Sequence, residues 1–263
     1  MKVIAVGTLK GGTGKTTVSY NLAGVLAEEH KVLLIDIDPQ CNLTNNTGVM
    51  VTDREVLSCI NIFEPPVQAP EDLVVKAPIK ELPNLDIIPS SIYLVATEVK
   101  ISSKAARERI LLNYLEDNKK YFKQYDYIII DTNPSMNIIN QNAFLAADSI
   151  ILVTDVDDNS RLGIHAFMYL WGEIRTDLRK KDNVKALIIN KADVRTNLTD
   201  NMLEYCQTDE ELSKILVPQI IHPKVVYARA ALDRVPVNKF KGGEDAADEV
   251  RAVVNSLKER GVF

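Results

Sequence analysis

The sequence predicts an α/β fold: a doubly wound, mostly parallel sheet flanked by helices. Three observations predict it. A glycine-rich loop, Lys10 to Thr17, stands between a short apolar run, Val3 to Val6, and a helical pattern, Thr16 to Glu28. Later apolar runs alternate with helical patterns, and several of them end in Asp or Asn. These runs are apolar throughout, as parallel strands buried on both faces are. A chain of 263 residues, 46% hydrophobic and 25% charged, is ample for a core, and we expect one domain over residues 1–263.

Composition narrows the function classes. A net charge of −5 excludes a globally basic nucleic-acid binder, so any DNA contact rests on a local patch. Cys41, Cys59 and Cys206 are odd in number and form no C-x-x-C pair. That argues against a disulfide framework or a zinc site and fits a reducing cytoplasm. No apolar run approaches the roughly 18 residues of a spanning helix. Met1 leads directly into a strand, leaving no room for a signal peptide. For the same reason no DNA-binding domain is expected ahead of the first strand. The expected location is the cytoplasm.

The loop reads Lys10-Gly11-Gly12-Thr13-Gly14-Lys15-Thr16-Thr17. Its glycines let the backbone turn tightly and aim several N–H groups at one anion. The helix that follows adds the positive end of its dipole. Lys15 supplies charge for β- and γ-phosphates, and the Thr16 hydroxyl is a Mg²⁺ ligand in such loops. The common G-x-x-x-x-G-K-T form would place a glycine at position 9, where Leu9 stands, and an additional lysine occurs at Lys10. The K-G-G-T-G-K-T-T text resembles the deviant Walker A loop of the ParA/MinD family of P-loop ATPases. The resemblance implies ATP and Mg²⁺ as ligands, with Lys10 through Thr17 on the nucleotide. It also implies that Lys10 reaches across a homodimer to the nucleotide of the other subunit.

The second strand, Lys31 to Asp36, runs into Asp36-Ile37-Asp38-Pro39-Gln40, at the carboxyl end of a strand where α/β sheets bind ligands. The family pattern is D-x-D-P-Q followed by G-N; here Cys41 replaces the glycine. The resemblance gives Asp38 the attacking water and Asp36 a place in the Mg²⁺ shell. Thr52 to Ile60 carries a capping-box pattern, Thr52 and Glu55, and is expected to be a helix. Pro65, Pro66 and Pro70 mark a loop. Val74-Val75 and Leu85 to Ile88 read as a hairpin-like pair or as two separate strands. From Ser102 or Ser103 to about Lys123 a helix is expected. Ile110, Leu111, Tyr114 and Leu115 form its apolar stripe, and its basic residues read as a solvated face.

Tyr125 to Asp131 is a buried strand ending in an acid, a Walker B arrangement in which Asp131 serves Mg²⁺. The family often continues D-x-P-P-S; here Asn133 replaces the first proline. Asn140 to Ala147 reads as helix, Ser149 to Val153 as strand, Gly163 to Asp177 as helix and Val184 to Asn190 as strand. Asn190-Lys191-Ala192-Asp193 matches the guanine-reading N-K-x-D text of GTPases. The family also has an asparagine at this strand end, near adenine, followed by D-x-R-T-N-L, which Asp193 to Leu198 matches. Asn190 is thus read as a base contact with ATP as the nucleotide and GTP as the rival.

In DNA-binding relatives an arginine at the Arg195 position belongs to a basic patch on the dimer. The later P-R-N-V-R segment corresponds to His222-Pro223-Lys224-Val225-Val226, without the usual arginines. Lys224, Arg229 and Arg234 are the candidate replacements. The tail, Glu244 to Arg260, is amphipathic, with Val250, Val253, Val254 and Leu257 at helical spacing. Its charges are mixed and its apolar face is mostly valine, so packing on the sheet is expected and membrane binding is not. By resemblance the chain is a ParA-type partition ATPase. Its ATP-bound homodimer would bind DNA non-specifically and so associate with the nucleoid, and a ParB-like centromere-binding adaptor would stimulate hydrolysis. The alternative is a MinD-like membrane-cycling or other cargo-positioning ATPase. An iron–sulfur carrier of the same superfamily lacks its paired cysteines here.

Overall fold

The computed structural model describes residues 1–157 and 159–263. Six strands form one sheet: β1 (Lys2–Gly7), β2 (Val32–Asp36), β3 (Leu85–Ile88), β4 (Tyr127–Asp131), β5 (Ser149–Thr154) and β6 (Val184–Ile189), in the order β3-β2-β4-β1-β5-β6. Every pairing between them is parallel. The chain lies to one side of β1 for β2 to β4 and to the other for β5 and β6. The ligand crevice of an open sheet opens at such a reversal.

Eight helices carry the account: α1 (Lys15–Leu26), α2 (Leu94–Ile101), α3 (Ile110–Asp117), α4 (Ile138–Ala146), α5 (Ser160–Asp177), α6 (Asn197–Thr208), α7 (Val225–Leu232) and α8 (Glu244–Glu259). They cover both sheet faces. The strand period of two sends successive residues into two cores. Leu33, Ile35, Ile128 and Ile130 join Phe144, Phe167 and Trp171 on one side. Ile4, Leu34, Ile129 and Ile188 join Leu22, Leu26, Val253 and Leu257 on the other. The tail helix α8 therefore packs its valine face on α1 and the sheet, as its spacing predicts. No helix among the described residues is long and apolar enough to cross a membrane.

Two expectations change and one open alternative narrows. Thr52 to Ile60 is not a helix; helix appears only at Ile60–Phe63. Asp53 rather than Thr52 takes the local N–H groups, accepting from Glu55 and Val56 at 2.8 and 3.2 Å, and the turn closes instead of propagating. The long helix from Ser102 to Lys123 is broken. Ala106 adopts φ 50°, a 3₁₀ turn spans Arg107–Arg109, and α3 ends at Asn118, whose side chain caps the Tyr114 carbonyl at 2.9 Å. For Val74-Val75 and Leu85 to Ile88 the hairpin-like pairing is present at one point. Leu85–Ile88 is the edge strand β3, and Val75 makes one antiparallel bridge to Ile87.

Candidate active site

The glycine loop leaves the carboxyl end of β1 and feeds α1. Gly12 and Gly14 have φ of 80° and 86°. At Gly14 a side chain is also excluded by space, since a Cβ there would collide with the Asn190 amide. The loop is fastened from β6: Asn190 Nδ2 donates to the Thr13 carbonyl and Lys191 Nζ to the Gly12 carbonyl, both at 2.7 Å. Asn190 thus holds the loop, and it also lines a cavity of about 410 Å³ with Lys191, His222 and Tyr227. A second cavity of about 410 Å³ is lined by Gly12, Gly14, Lys15, Thr16, Asp38 and Pro134. Thr17 lines both. Two adjoining cavities, one walled by the glycine loop and one mainly apolar, fit a polyphosphate joined to a base.

Three carboxylates stand around the phosphate-side cavity. Parallel pairing sets Asp36 opposite Asp131 across β2 and β4. Both are fully buried. Burial, reinforced for Asp36 by the charge of Asp131, pushes their pKa up to about 7 for Asp36 and about 6 for Asp131. Asp131 accepts from Thr16 Oγ1 at 2.8 Å and Ser19 Oγ at 2.7 Å. Asp36 accepts from the Asp38 N–H at 3.0 Å and from the Thr44 N–H and hydroxyl at 2.8 and 2.7 Å. Asp38 accepts from the Gln40 N–H at 2.9 Å through one oxygen. Its other oxygen has no partner among the described residues. Burial raises the Asp38 pKa as well. Lys15 is buried between Asp131 and Asp38; desolvation lowers its pKa and both acids work against that.

The structure brings Lys15, Thr16, Asp38 and Asp131 together, with Asp36 one layer deeper as the anchor of the Asp38 loop. Oxygen donors at Thr16 and Asp131 suit a hard cation such as Mg²⁺. The Thr13 hydroxyl is buried without a partner among the described residues. Lys10 points elsewhere: its ammonium is held by Asp155 and Asp157 on the loop after β5, with Ser160 Oγ at 3.4 Å. Desolvation lowers the Lys10 pKa, but the two carboxylates outweigh it and the net shift is upward.

The expected DNA-contacting residues are differently placed. Arg195 is paired with Asp193 through Nε and Nη2 at 2.8 and 2.6 Å. Lys224 is paired with Glu249 at 2.8 Å. Arg229 is exposed on α7. Sequence reasoning missed Ser19, Thr44 and Asn140. Ser19 alone had a signal, one helical turn after Thr16 and on the same face.

Comparison with known proteins now decides the family. A family model described as an AAA domain (AAA_31) matches residues 1–186. The sporulation initiation inhibitor protein Soj of Bacillus subtilis (strain 168) is 34% identical over 205 residues, 77% of this chain and 78% of Soj. The chain belongs to the ParA/MinD family of ATPases. It is a partition or positioning ATPase of that family. A variant of Cyanothece McdA in complex with ATP superposes with a TM-score of 0.84 at 21% identity, over 98% of this chain and 96% of that one. MinD of Pyrococcus horikoshii OT3, complexed with Mg-ADP, gives 0.75 at 21%, over 98% and 96%. At such identities these two likenesses speak for the fold.

Proposed function

We propose that this chain is a ParA-type partition ATPase that works as one unit over residues 1–263. The observation that carries the reading is the convergence of Lys15, Thr16, Asp38 and Asp131 on one cavity beside the glycine loop. ATP lies with its phosphates against Gly11 to Thr17 and its base beside Asn190 and Lys191. Thr16 and Asp131 hold Mg²⁺, with Asp36 supporting that shell through the adjacent strand. Bound Mg²⁺ neutralises charge on the β- and γ-phosphates. Lys15 adds a positive charge at the same oxygens. The partner-free oxygen of Asp38 orients the attacking water. Since burial keeps that carboxylate poorly solvated, it is a better proton acceptor than an exposed one.

ATP is taken over GTP from the match of Asp193 to Leu198 with the D-x-R-T-N-L text of the family. ATP closes two copies into a homodimer, in which Lys10 exchanges Asp155 and Asp157 for the nucleotide of the other subunit. The dimer binds DNA through phosphate contacts alone, and a ParB-like adaptor stimulates hydrolysis and releases it. Phosphate contacts need clustered cations and little sequence reading. Arg195 and Lys224 serve that surface once they leave their carboxylate partners, and Arg229 extends it. The burial of the α8 apolar face favours this reading over a membrane-cycling one.

The test is DNA binding by the Asp38→Ala protein in ATP and in ADP across a salt series. ATP-dependent binding that weakens steeply with salt is expected. No binding at low salt in either nucleotide would reject the DNA step and leave a DNA-independent positioning ATPase.

A further inference from the structure

The loop that follows Asp131 forms part of the phosphate-side cavity. Pro134 lines it, and the Pro134 ring lies 4.0 Å from where a Cβ on Gly11 would stand. A shift of this loop therefore changes the wall facing Gly11 to Lys15. A proline at position 133 would fix a second φ beside that of Pro134, and this chain has Asn133 there. Within the loop, and among the described residues, one backbone bond, Ser135 N–H to the Asn133 carbonyl at 2.9 Å, and one side-chain bond, Ser135 hydroxyl to Asn133 Oδ1, join residues 133 and 135.

A side chain from α4 makes up the difference. Asn140 is fully buried, with its Nδ2 2.8 Å from the Asn133 carbonyl, 3.0 Å from Asn133 Oδ1, 2.8 Å from the Ser135 carbonyl and 3.2 Å from Ser135 Oγ. Four acceptors surround one NH₂ group, which fixes the orientation of the amide. Its own oxygen is buried without a partner among the described residues. An orphan acceptor is unfavourable. It is tolerated here because the donor end spans both residues that flank Pro134. Asn140 is itself held: its N–H donates to Asn137 Oδ1 at 2.9 Å, and Asn137 Nδ2 donates to Glu98 of α2 at 2.9 Å. The loop is thus tied through two amides to α2, which packs in the same core as α4.

We propose that Asn140 is a positioning residue for ATP hydrolysis: its amide ties together the residues on either side of Pro134 and holds Pro134 in place against the phosphate loop. The proposal rests on the nucleotide reading of this cavity. It differs from a packing role for Asn140, which would lower stability without separating binding from turnover.

The experiment measures nucleotide affinity, turnover at saturating ATP and melting temperature for the full chain and four variants. Asn140→Ala removes the amide. Asn140→Asp keeps its shape but offers acceptors where donors are needed. Asn140→Thr retains a hydroxyl donor. Asn133→Pro is combined with Asn140→Ala; the Asn133 N–H makes no hydrogen bond among the described residues, so proline removes none. Misplacement of a wall by about 1 Å can lower turnover by up to roughly a hundredfold. We expect kcat to fall about tenfold or more in Asn140→Ala and Asn140→Asp, and less in Asn140→Thr. ATP affinity should stay within about twofold, and Asn133→Pro should restore most of the kcat lost in Asn140→Ala. Should Asn140→Ala not fold, Asn140→Asp and Asn140→Thr carry the same separation. Unchanged kcat in the folded variants would overturn the proposal. So would a fall that Asn133→Pro does not relieve in a double variant that folds and binds ATP. Failure of the unmodified chain to bind ATP would instead overturn the site reading, and the proposal with it.

Discussion

Replacing Thr44 by valine tests how the Asp38 loop is held. Asp36, Thr44 and Ser90 are all fully buried. The Thr44 hydroxyl donates to Asp36 Oδ2 at 2.7 Å and accepts the Ser90 N–H at 2.9 Å. Valine has nearly the same shape, so no cavity opens, and the backbone bond from Thr44 to Asp36 remains. The loss is one hydrogen bond to a carboxylate, about 1.5–3 kcal/mol, plus an unsatisfied buried N–H at Ser90, about 1–3 kcal/mol. The sum, roughly 2.5–6 kcal/mol, is a large share of the 5–15 kcal/mol that stabilises a typical domain. Urea denaturation at pH 8, where Asp36 is ionised, measures it. Thr44→Ser keeps the hydroxyl and should cost only about 0.5–1.5 kcal/mol, as for loss of one methyl group. A Thr44→Val cost below about 1 kcal/mol, or one equal to that of Thr44→Ser, would refute the reasoning.

Three further outcomes follow from the same packing. With the pKa of Asp36 raised to about 7 and that of Asp131 to about 6, the folded protein binds more protons than the unfolded chain above the usual carboxylate range. These acids therefore make the nucleotide-free protein less stable as pH rises from about 4 to 7, each by at most about 1.4 kcal/mol per pH unit. Denaturation midpoints of Asp36→Asn should lack part of that fall, and an identical pH slope in variant and parent would contradict it. Leu257→Ala, in the buried face of α8, should cost about 2–5 kcal/mol in denaturant titration; a near-neutral result would mean that the tail does not pack on α1. Lys15→Ala should weaken ATP binding by at least about a hundredfold, roughly 2.8 kcal/mol, in a fluorescent-nucleotide titration, and unchanged affinity would remove Lys15 from the site.

The parts of the site that are contiguous in the chain were legible in its sequence. The loop from Lys10 to Thr17, the acids at the ends of β2 and β4 and the apolar strands all announce themselves within a few residues. Strand pairing does not: that Asp36 lies opposite Asp131 depends on register between segments about ninety residues apart. The partners of Lys10 belong to the same class, since Asp155 and Asp157 lie far along the chain. Helix boundaries failed where one side chain outcompeted the pattern, as Asp53 does at Glu55 and Val56 and as Asn118 does at Tyr114. The basic residues expected at DNA were legible as charges but not as ion pairs. Asp193 is close enough in sequence to Arg195 to suggest one, whereas Glu249 is not close to Lys224.

The most direct measurement is ATP binding and single-turnover hydrolysis by the Asp38→Ala protein beside the unmodified chain. Asp38 lines the cavity and has an oxygen with no partner among the described residues, while Lys15 and the glycine loop carry binding without it. ATP affinity should stay within about threefold, and hydrolysis should fall by about two orders of magnitude, as loss of one catalytic base does. Hydrolysis at the parent rate, with ATP bound, would contradict the account.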